Sequence, residues 1–262
     1  MPELPDVETF RKYLNRTGLN RKIKACRVEN KKVLKGITPK ELEKKLKDDK
    51  FTKTLRQGKY LFAALKKNGF LVVHFGMTGY LKYFKNGNVL PPHSRVVINF
   101  TNGHSLAYSN QRLLGKIALV SSFRDFIQRK NLGPDALEID YPYFKEGVKN
   151  SRSTIKSLLM NQEFMAGVGN IYSDEILYRS KIYPGLNNSK IGEKDTKKIF
   201  NAMRAVLATA IERKADPSKL PSAWLLPHRN RGESCPKCKG KIKKKKISGR
   251  SAYFCPECQK KR

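Results

Sequence analysis

Acidic residues are scarce in this chain: 22 Asp and Glu stand against 55 Lys and Arg among 262 residues, a formal charge of +33. An excess of that size repels itself and calls for a polyanion, either nucleic acid or an anionic membrane surface. No apolar run approaches the ~18 residues that a membrane-spanning helix needs. The opening Met1-Pro2-Glu3-Leu4-Pro5-Asp6 is acidic and without an apolar stretch, which argues against a secretory signal. The amphipathic Lys/Phe pattern of a lipid-surface helix is missing too, so nucleic acid is the expected partner. Internal repeats are absent. What the chain does have is a hydrophobic fraction of 39%, with 13 Phe and 11 Tyr, enough for a core and too much for wholesale disorder. At roughly 100–200 residues per domain, the length fits one large domain or two to three smaller ones.

Cysteine is also sparse, and its placement is informative. Four of the five fall near the end, as Cys235-Pro-Lys-Cys238 and Cys255-Pro-Glu-Cys258, with 16 residues between the pairs. That spacing fits a four-thiolate zinc ribbon, each C-x-x-C turn offering two sulfurs from one knuckle. Two disulfides are the competing arrangement, disfavoured in a chain of cytosolic character. Cys26, in a stretch of alternating apolar residues, reads as a small core residue.

Three Asn-Gly pairs, Asn68-Gly69, Asn86-Gly87 and Asn102-Gly103, punctuate the stretch from Lys59 to Tyr108 and read as hairpin signals. The runs Tyr60–Leu65, Phe70–Phe75, Tyr80–Phe84, Arg95–Thr101, Ser105–Tyr108 and Lys116–Val120 then read as strands of an antiparallel sandwich or barrel. Helical spacing follows Pro5 (Val7, Phe10, Leu14), and Thr38-Pro39-Lys40-Glu41 is a capping box. Beyond Leu132-Gly133-Pro134 the pattern turns helical over Ser153–Met165, Ile171–Ser180 and Asp195–Lys214. Gly167-Val168-Gly169-Asn170 points to a helix–turn–helix variant, and Ala215–Pro227 reads as a linker. The expected class is multidomain α+β. Residues 1–130 form an antiparallel β-sandwich with flanking helices, residues 131–228 a helical domain, and residues 229–262 the zinc ribbon.

Pro2 carries the most chemistry. Methionine is normally removed before proline, which leaves a secondary amine at the terminus. An α-amino group has a pKa near ~8 against ~10.4 for lysine, so more of it is nucleophilic at neutral pH. Attack on an aldehyde-level carbon gives an iminium ion, an electron sink, and Glu3 stands beside it to move protons.

Five motifs in register carry a resemblance. They are Met1-Pro2-Glu3-Leu4-Pro5-Asp6-Val7-Glu8, Gly58-Lys59-Tyr60-Leu61, His74-Phe75-Gly76-Met77-Thr78-Gly79, Gly167-Val168-Gly169-Asn170-Ile171-Tyr172, and Gly249-Arg250-Ser251 followed by Phe254-Cys255-Pro256-Glu257-Cys258-Gln259. Together they resemble the formamidopyrimidine-DNA glycosylases, the family that includes endonuclease VIII. The resemblance implies a helix–two-turn–helix module and a bifunctional DNA-repair enzyme, a glycosylase and abasic-site lyase. Such an enzyme excises an oxidised or ring-opened base through a Schiff base at the N-terminal proline, then cleaves by β,δ-elimination. By position, Pro2 is the nucleophile and Glu3 the acid–base residue. Lys59, Asn170 and Arg250 grip phosphates, Lys59 and Arg250 also serving the elimination steps. Met77 matches the intercalating wedge, and Arg112 and Leu114 lie in the second void-filling loop. His93 and Arg152 align with further DNA contacts. Cys235, Cys238, Cys255 and Cys258 would hold one structural Zn2+, with no organic cofactor. Lys243, Lys244, Lys245 and Lys246 accompany Arg250 on the ribbon hairpin.

Two departures bear on substrate. Members of the family usually carry Asp-Pro-Arg-Arg-Phe where this chain has Asn110-Gln111-Arg112-Leu113-Leu114, and Ala215–Glu233 is short for the loop that caps flipped 8-oxoguanine. Ring-opened purines, hydantoins, oxidised pyrimidines and 8-oxoguanine all remain open as lesions. Asp6 replacing the usual Glu is a smaller change. The expected partner is damaged double-stranded DNA, met by a monomer in the cytoplasm at the nucleoid, or in a nucleus. The competing readings are a catalytically inactive DNA- or RNA-binding protein on the same scaffold, and a zinc-ribbon component of the transcription or translation machinery. Pro2-Glu3 at the terminus discriminates, because a pure binder does not need it.

Overall fold

The alternation of apolar residues between Ile23 and Val120 builds two four-stranded antiparallel sheets in the computed structural model, which describes residues 2–67 and 69–261. One has β1 (Ile23–Val28), β6 (Ser94–Phe100), β7 (His104–Asn110) and β5 (Gly79–Lys85) in that spatial order. In the other lie β2 (Phe51–Gln57), β3 (Tyr60–Leu65), β4 (Phe70–His74) and β8 (Lys116–Val120). Their inner faces share one core, in which Leu61, Ala63, Leu71 and Val73 meet Leu81, Val96, Ile98 and Leu106. This is the expected sandwich. Helix α1 (Leu4–Thr17) adds Val7 and Leu14 to that core, and α2 (Pro39–Leu46) starts at the Thr38/Glu41 capping box with Leu42 and Leu46 inward. Cys26 is buried as expected, and burial pushes its thiol up to about 12, which leaves it inert.

The structure corrects the strand reading at one turn and adds elements at others. Asn102-Gly103 joins the paired strands β6 and β7, and Gly69 turns β3 into β4; its partner Asn68 lies outside the described residues. Asn86-Gly87, however, joins no hairpin, because β5 pairs with β7 and residues 86–93 cross to β6. The turn chemistry is real, with Gly87 at φ +88°, but the Asn86 amide extends the β5–β7 ladder by donating to the Gly103 carbonyl at 2.9 Å. Strands β1 and β2, helix α3 (Phe123–Arg129) and helix α4 (Tyr141–Asn150) were not read from the sequence. Helix α3 covers the outer face of the second sheet, where Phe62 meets Phe123 and Phe126 at 4.8 and 5.3 Å between ring centres.

Two compact units result, one holding Pro2 and residues 6–130, the other Glu3–Pro5 and residues 131–261. The second unit packs α4, α5 (Ile155–Met160), α6 (Asn170–Ser180) and α7 (Glu193–Glu212) around Leu159, Val168, Ile176, Met203 and Leu207, and ends in the hairpin β9 (Lys243–Ile247) and β10 (Arg250–Phe254). The helix expected over 153–165 stops at Met160. The Gln162 side chain organises the turn that follows, donating to the carbonyls of Met160 and Val168 at 2.7 and 2.8 Å and accepting from Gly167 at 3.1 Å. The expected linker is likewise tied down. Trp224 and Leu225 are buried, and the Leu226 amide donates to Glu175 at 2.9 Å. No helix among the described residues is long and apolar enough to cross a membrane.

Helix α6 is buried over most of its length and carries two carboxylates inside, Asp174 and Glu175. Burial pushes the Glu175 carboxyl up to about 8, against the amides of Leu225 and Leu226 and the charges of Arg179 and Lys237. A carboxyl held neutral in the fold contributes fully below its unfolded value near ~4.3, and that contribution drains as pH rises toward the folded value. Urea midpoints should therefore fall between pH 5 and 8 for the wild type and stay flatter for Glu175→Gln. Parallel pH profiles of the two proteins would show that Glu175 does not titrate in this way.

Candidate functional site

The first described residues do not run free. Glu3 is fully buried, and its carboxylate accepts from the amides of Gly169 (2.7 Å), Ile171 (2.8 Å) and Tyr172 (3.2 Å) at the start of α6. Gly169 at the N-cap offers no side-chain cap, so the orphan amides of the first turn are met by Glu3. The Leu4 amide donates to the Gly167 carbonyl at 3.1 Å, and Leu4 sits in the helical core. Glycine is required on this path. A Cβ on Gly169 would lie 2.4 Å from the Glu3 carboxyl carbon, and Gly167, at φ +125°, would meet Leu4 at 2.5 Å. Pro2 is half-buried and covalently one step from that anchor. Met1 lies outside the described residues.

Asn170, the first residue of α6, is half-buried. Its carbonyl accepts from Lys156 Nζ at 3.1 Å, and Lys156 also donates to Ser173 Oγ and Asp174, both at 2.7 Å. Asp174 accepts in addition from Arg229 Nε at 2.9 Å and from the Tyr253 amide at 3.2 Å. Burial pushes Lys156 down and Asp174 up, while their mutual attraction opposes both. Arg152 is exposed, its carbonyl accepting from Asn187 at 3.0 Å.

In the β unit, Lys59 follows Gly58 (φ +54°) in the two-residue turn between β2 and β3, half-buried. Burial, and then the charges of Lys59 and Lys130, push His74 down to about 4, so it is neutral at pH 7. Its Nδ1 accepts from the Gly76 amide at 3.3 Å, which leaves the proton on Nε2. His74 was not among the expected site residues, although it opens one of the quoted motifs.

Two loops carry the expected wedge. Their backbones touch, since a Cβ on Gly76 would lie 2.4 Å from the Gly115 nitrogen. Asn110 Nδ2 donates to the Phe75 carbonyl at 2.9 Å, and the Arg112 amide donates to Thr78 Oγ1 at 3.2 Å. Leu113, at φ +57°, packs against the sandwich core. Met77 and Leu114 are instead 40% and 49% exposed, with Arg112 also in solvent, so neither apolar side chain serves the core. His93, exposed at φ +58°, accepts through its carbonyl from the Asn110 amide at 2.9 Å.

At the ribbon, the four cysteine sulfurs lie within 4.8 Å of one another, and the contacts between knuckles are 3.5 to 3.8 Å. A tetrahedron with Zn–S bonds of about 2.3 Å places its sulfurs about 3.8 Å apart. The cysteines are unbridged, so the disulfide alternative falls away and the donor set fits one structural Zn2+. Amides of Lys237 and Gly240 donate to Cys235 and Cys238 at 3.5 and 3.3 Å. Ser248 and Gly249 turn β9 into β10 with φ of +45° and +77°, a two-residue turn that presents Arg250 to solvent beside exposed Lys243–Lys246.

Three family models match the chain: the formamidopyrimidine-DNA glycosylase N-terminal domain over residues 1–117, the formamidopyrimidine-DNA glycosylase H2TH domain over 132–222, and the zinc finger found in FPG and IleRS over 232–261. The formamidopyrimidine-DNA glycosylase of Ureaplasma parvum is 36% identical, covering 99% of this chain and 100% of that protein. That of Pelotomaculum thermopropionicum is 34% identical, at 99% and 99% coverage. The crystal structure of Lactococcus lactis Fpg with abasic-site DNA matches at a TM-score of 0.90 and 28% identity, over 99% of this chain and 100% of that one.

Four thiolates leave no open coordination position, so the metal is structural. Cys238→Ser should lose zinc by metal analysis and weaken duplex binding, because metal binding is coupled to the folding of the ribbon. A zinc-free variant that binds a DNA duplex with unchanged affinity would separate the ribbon from binding.

Proposed function

The chain belongs to the formamidopyrimidine-DNA glycosylase family, a base-excision-repair glycosylase and abasic-site lyase, and from that premise we propose that Pro2 is its nucleophile. The processed amine attacks C1′ of the damaged nucleotide, the base leaves, and an iminium ion joins sugar to protein. Loss of the 3′ and then the 5′ phosphate by β- and δ-elimination frees the sugar fragment. Glu3 moves protons beside the amine, and Lys59 and Arg250 assist the eliminations. The observation that carries the assignment is the Glu3 anchor, because three amide bonds at α6 fix the residue next to the amine. Preorganisation of this kind is what a covalent nucleophile needs.

Lys59, Asn170 and Arg250 grip phosphates in this reading, where charge-assisted donors are strongest. His93 and Arg152 add backbone contacts. Met77 and Leu114 fill the gap left by the extruded nucleotide, with Arg112 facing the orphaned base. What supports this is their placement, in solvent on two loops whose backbones touch at Gly76 and Gly115. The chain divides at 130/131 and 228/229 into catalytic, helical and ribbon domains. Its partner is damaged double-stranded DNA, and we read its place of work as the bacterial cytoplasm, at the nucleoid.

Borohydride trapping tests the nucleophile. Retention of Met1 should abolish the trapped complex, and Pro2→Gly, which keeps a primary amine, should leave a residue of activity. Undiminished trapping with a verified blocked terminus would sink the assignment.

The lesion range follows from two loops. Leu113 turns inward, which leaves Arg112 as the one cation of the segment 110–115. A missing donor to the orphaned base is worth ~1–3 kcal/mol of discrimination. The stretch 215–233 is held to α6 through Leu226 and Arg229, which leaves it little length to fold over an extruded base. Opposite-base selectivity should therefore be relaxed, and 8-oxoguanine excised more slowly than a hydantoin or a ring-opened purine. Single-turnover excision of 8-oxoguanine and a hydantoin opposite each of the four bases measures it. Fastest turnover of 8-oxoguanine opposite cytosine, by a wide margin, would contradict this account of the loops.

A further inference from the structure

Tyr178 stands more than two turns beyond Asn170 on α6, with none of its surface in solvent. Its hydroxyl lies 3.2 Å from the Sγ of Cys235, which comes from the first knuckle of the ribbon. Four thiolates around one Zn2+ leave an excess of two negative charges in a largely buried site. Such an excess needs donors, because an uncompensated charge out of water is costly. The amides of Lys237 and Gly240 supply two of them. A metal-bound thiolate has no proton, so in the phenol contact the oxygen donates and the sulfur accepts. The ammonium of Lys237 sits over the same tyrosine ring at 4.8 Å from its centre, which adds positive potential on that side of the knuckle.

We propose that Tyr178 is a positioning residue of the zinc site, donating its O–H to the Cys235 thiolate, tying the first knuckle to α6 and lowering that sulfur's reactivity toward oxidants. The consequence suits an enzyme of oxidative DNA damage. A zinc thiolate is itself oxidisable: its sulfur attacks one oxygen of hydrogen peroxide, the O–O bond breaks, and sulfenate and water form, sulfur giving up two electrons to the peroxide. A hydrogen bond that draws electron density from sulfur slows that attack. It also sets the zinc ribbon on the helix whose first residue is Asn170, so loss of the metal and loss of the ribbon's seat on the helix go together. Outer-sphere partners of this kind typically govern metal affinity by 10–100-fold.

The test uses full-length, zinc-loaded protein and Tyr178→Phe, which keeps the ring and removes the hydroxyl. Peroxide-driven zinc release, followed with a chromogenic chelator, should be about tenfold faster in the variant. In the cobalt-substituted proteins the sulfur-to-cobalt charge-transfer band should shift, which altered packing alone would not produce. Equal release rates, or faster release with an unmoved band, would overturn the proposal. Should Tyr178→Phe fail to fold, 3-fluorotyrosine incorporation makes the phenol a stronger donor and should move the cobalt band to higher energy than in the unsubstituted protein; an unmoved band there is equally fatal.

Discussion

A carboxylate with no access to water, Asp174, organises the helical unit. One of its oxygens takes the Lys156 ammonium, and the other takes the Arg229 guanidinium and the Tyr253 amide. Moving these charges out of water costs several kcal/mol per ion, and only close geometry with additional donors offsets it. Loss of either partner strands the other, at about 3–5 kcal/mol. The arrangement therefore tolerates little displacement. Helices α5 and α6, the segment before the knuckles and strand β10 are all referred to one residue. Asn170 at the head of α6 and Arg250 at the head of β10 inherit their relative register from it.

The same helix fixes the chain terminus. Helix α2 completes its first turn locally, with Thr38 and Glu41 exchanging bonds within four residues. Helix α6 cannot, because the close approach that demands glycine at 169 also removes a capping side chain. Its cap arrives from 166 residues away as Glu3. Helix and terminus thus complete each other: the amides of the first turn gain a negative charge at the positive end of the dipole, and the residue beside Pro2 gains a fixed place. The fixed place of Glu3 is a by-product of helix capping.

Local chemistry was legible in the sequence and long-range burial was not. The capping box at Thr38, the Asn102-Gly103 hairpin and the paired cysteines each announce themselves within a few residues, and each appears in the structure. Asn86-Gly87 carries the same signal, yet the partner of β5 is chosen by the sheet rather than by the turn. Lys156, Asp174 and Tyr178 gave no signal at all. One lysine among many becomes distinctive only when Asp174 and Arg229, remote in sequence, close around it, and a tyrosine becomes a thiolate donor only when the ribbon folds back onto α6. The motif residues were recognisable as words. Their geometry, such as Leu113 turned inward and Leu114 outward, required the backbone.

Charge sorting between interior and surface connects these observations to DNA. Seven of the 22 acids, Glu3, Glu8, Asp49, Asp135, Asp174, Glu175 and Asp195, are buried, against one lysine and no arginine among the described residues. The acids inside do structural work: Glu3 caps a helix, Glu8 holds Arg11 and Arg56, and Asp49 collects the amides of Lys50, Lys66 and Lys67. Each carboxylate placed inside is one fewer on the surface to neutralise a lysine or to repel a phosphate. The exterior is thus more cationic than the composition alone implies, and its field draws a polyanion from any direction without reading sequence. Charge of one sign cannot by itself tell a damaged step from an intact one. Met77 and Leu114, two apolar side chains standing in solvent on either side of a backbone contact, are exposed groups of another kind, as Val89, Leu90 and Tyr143 also are. In the wedge role proposed for Met77 and Leu114, charge would supply binding to any DNA and shape would test each step for weak stacking.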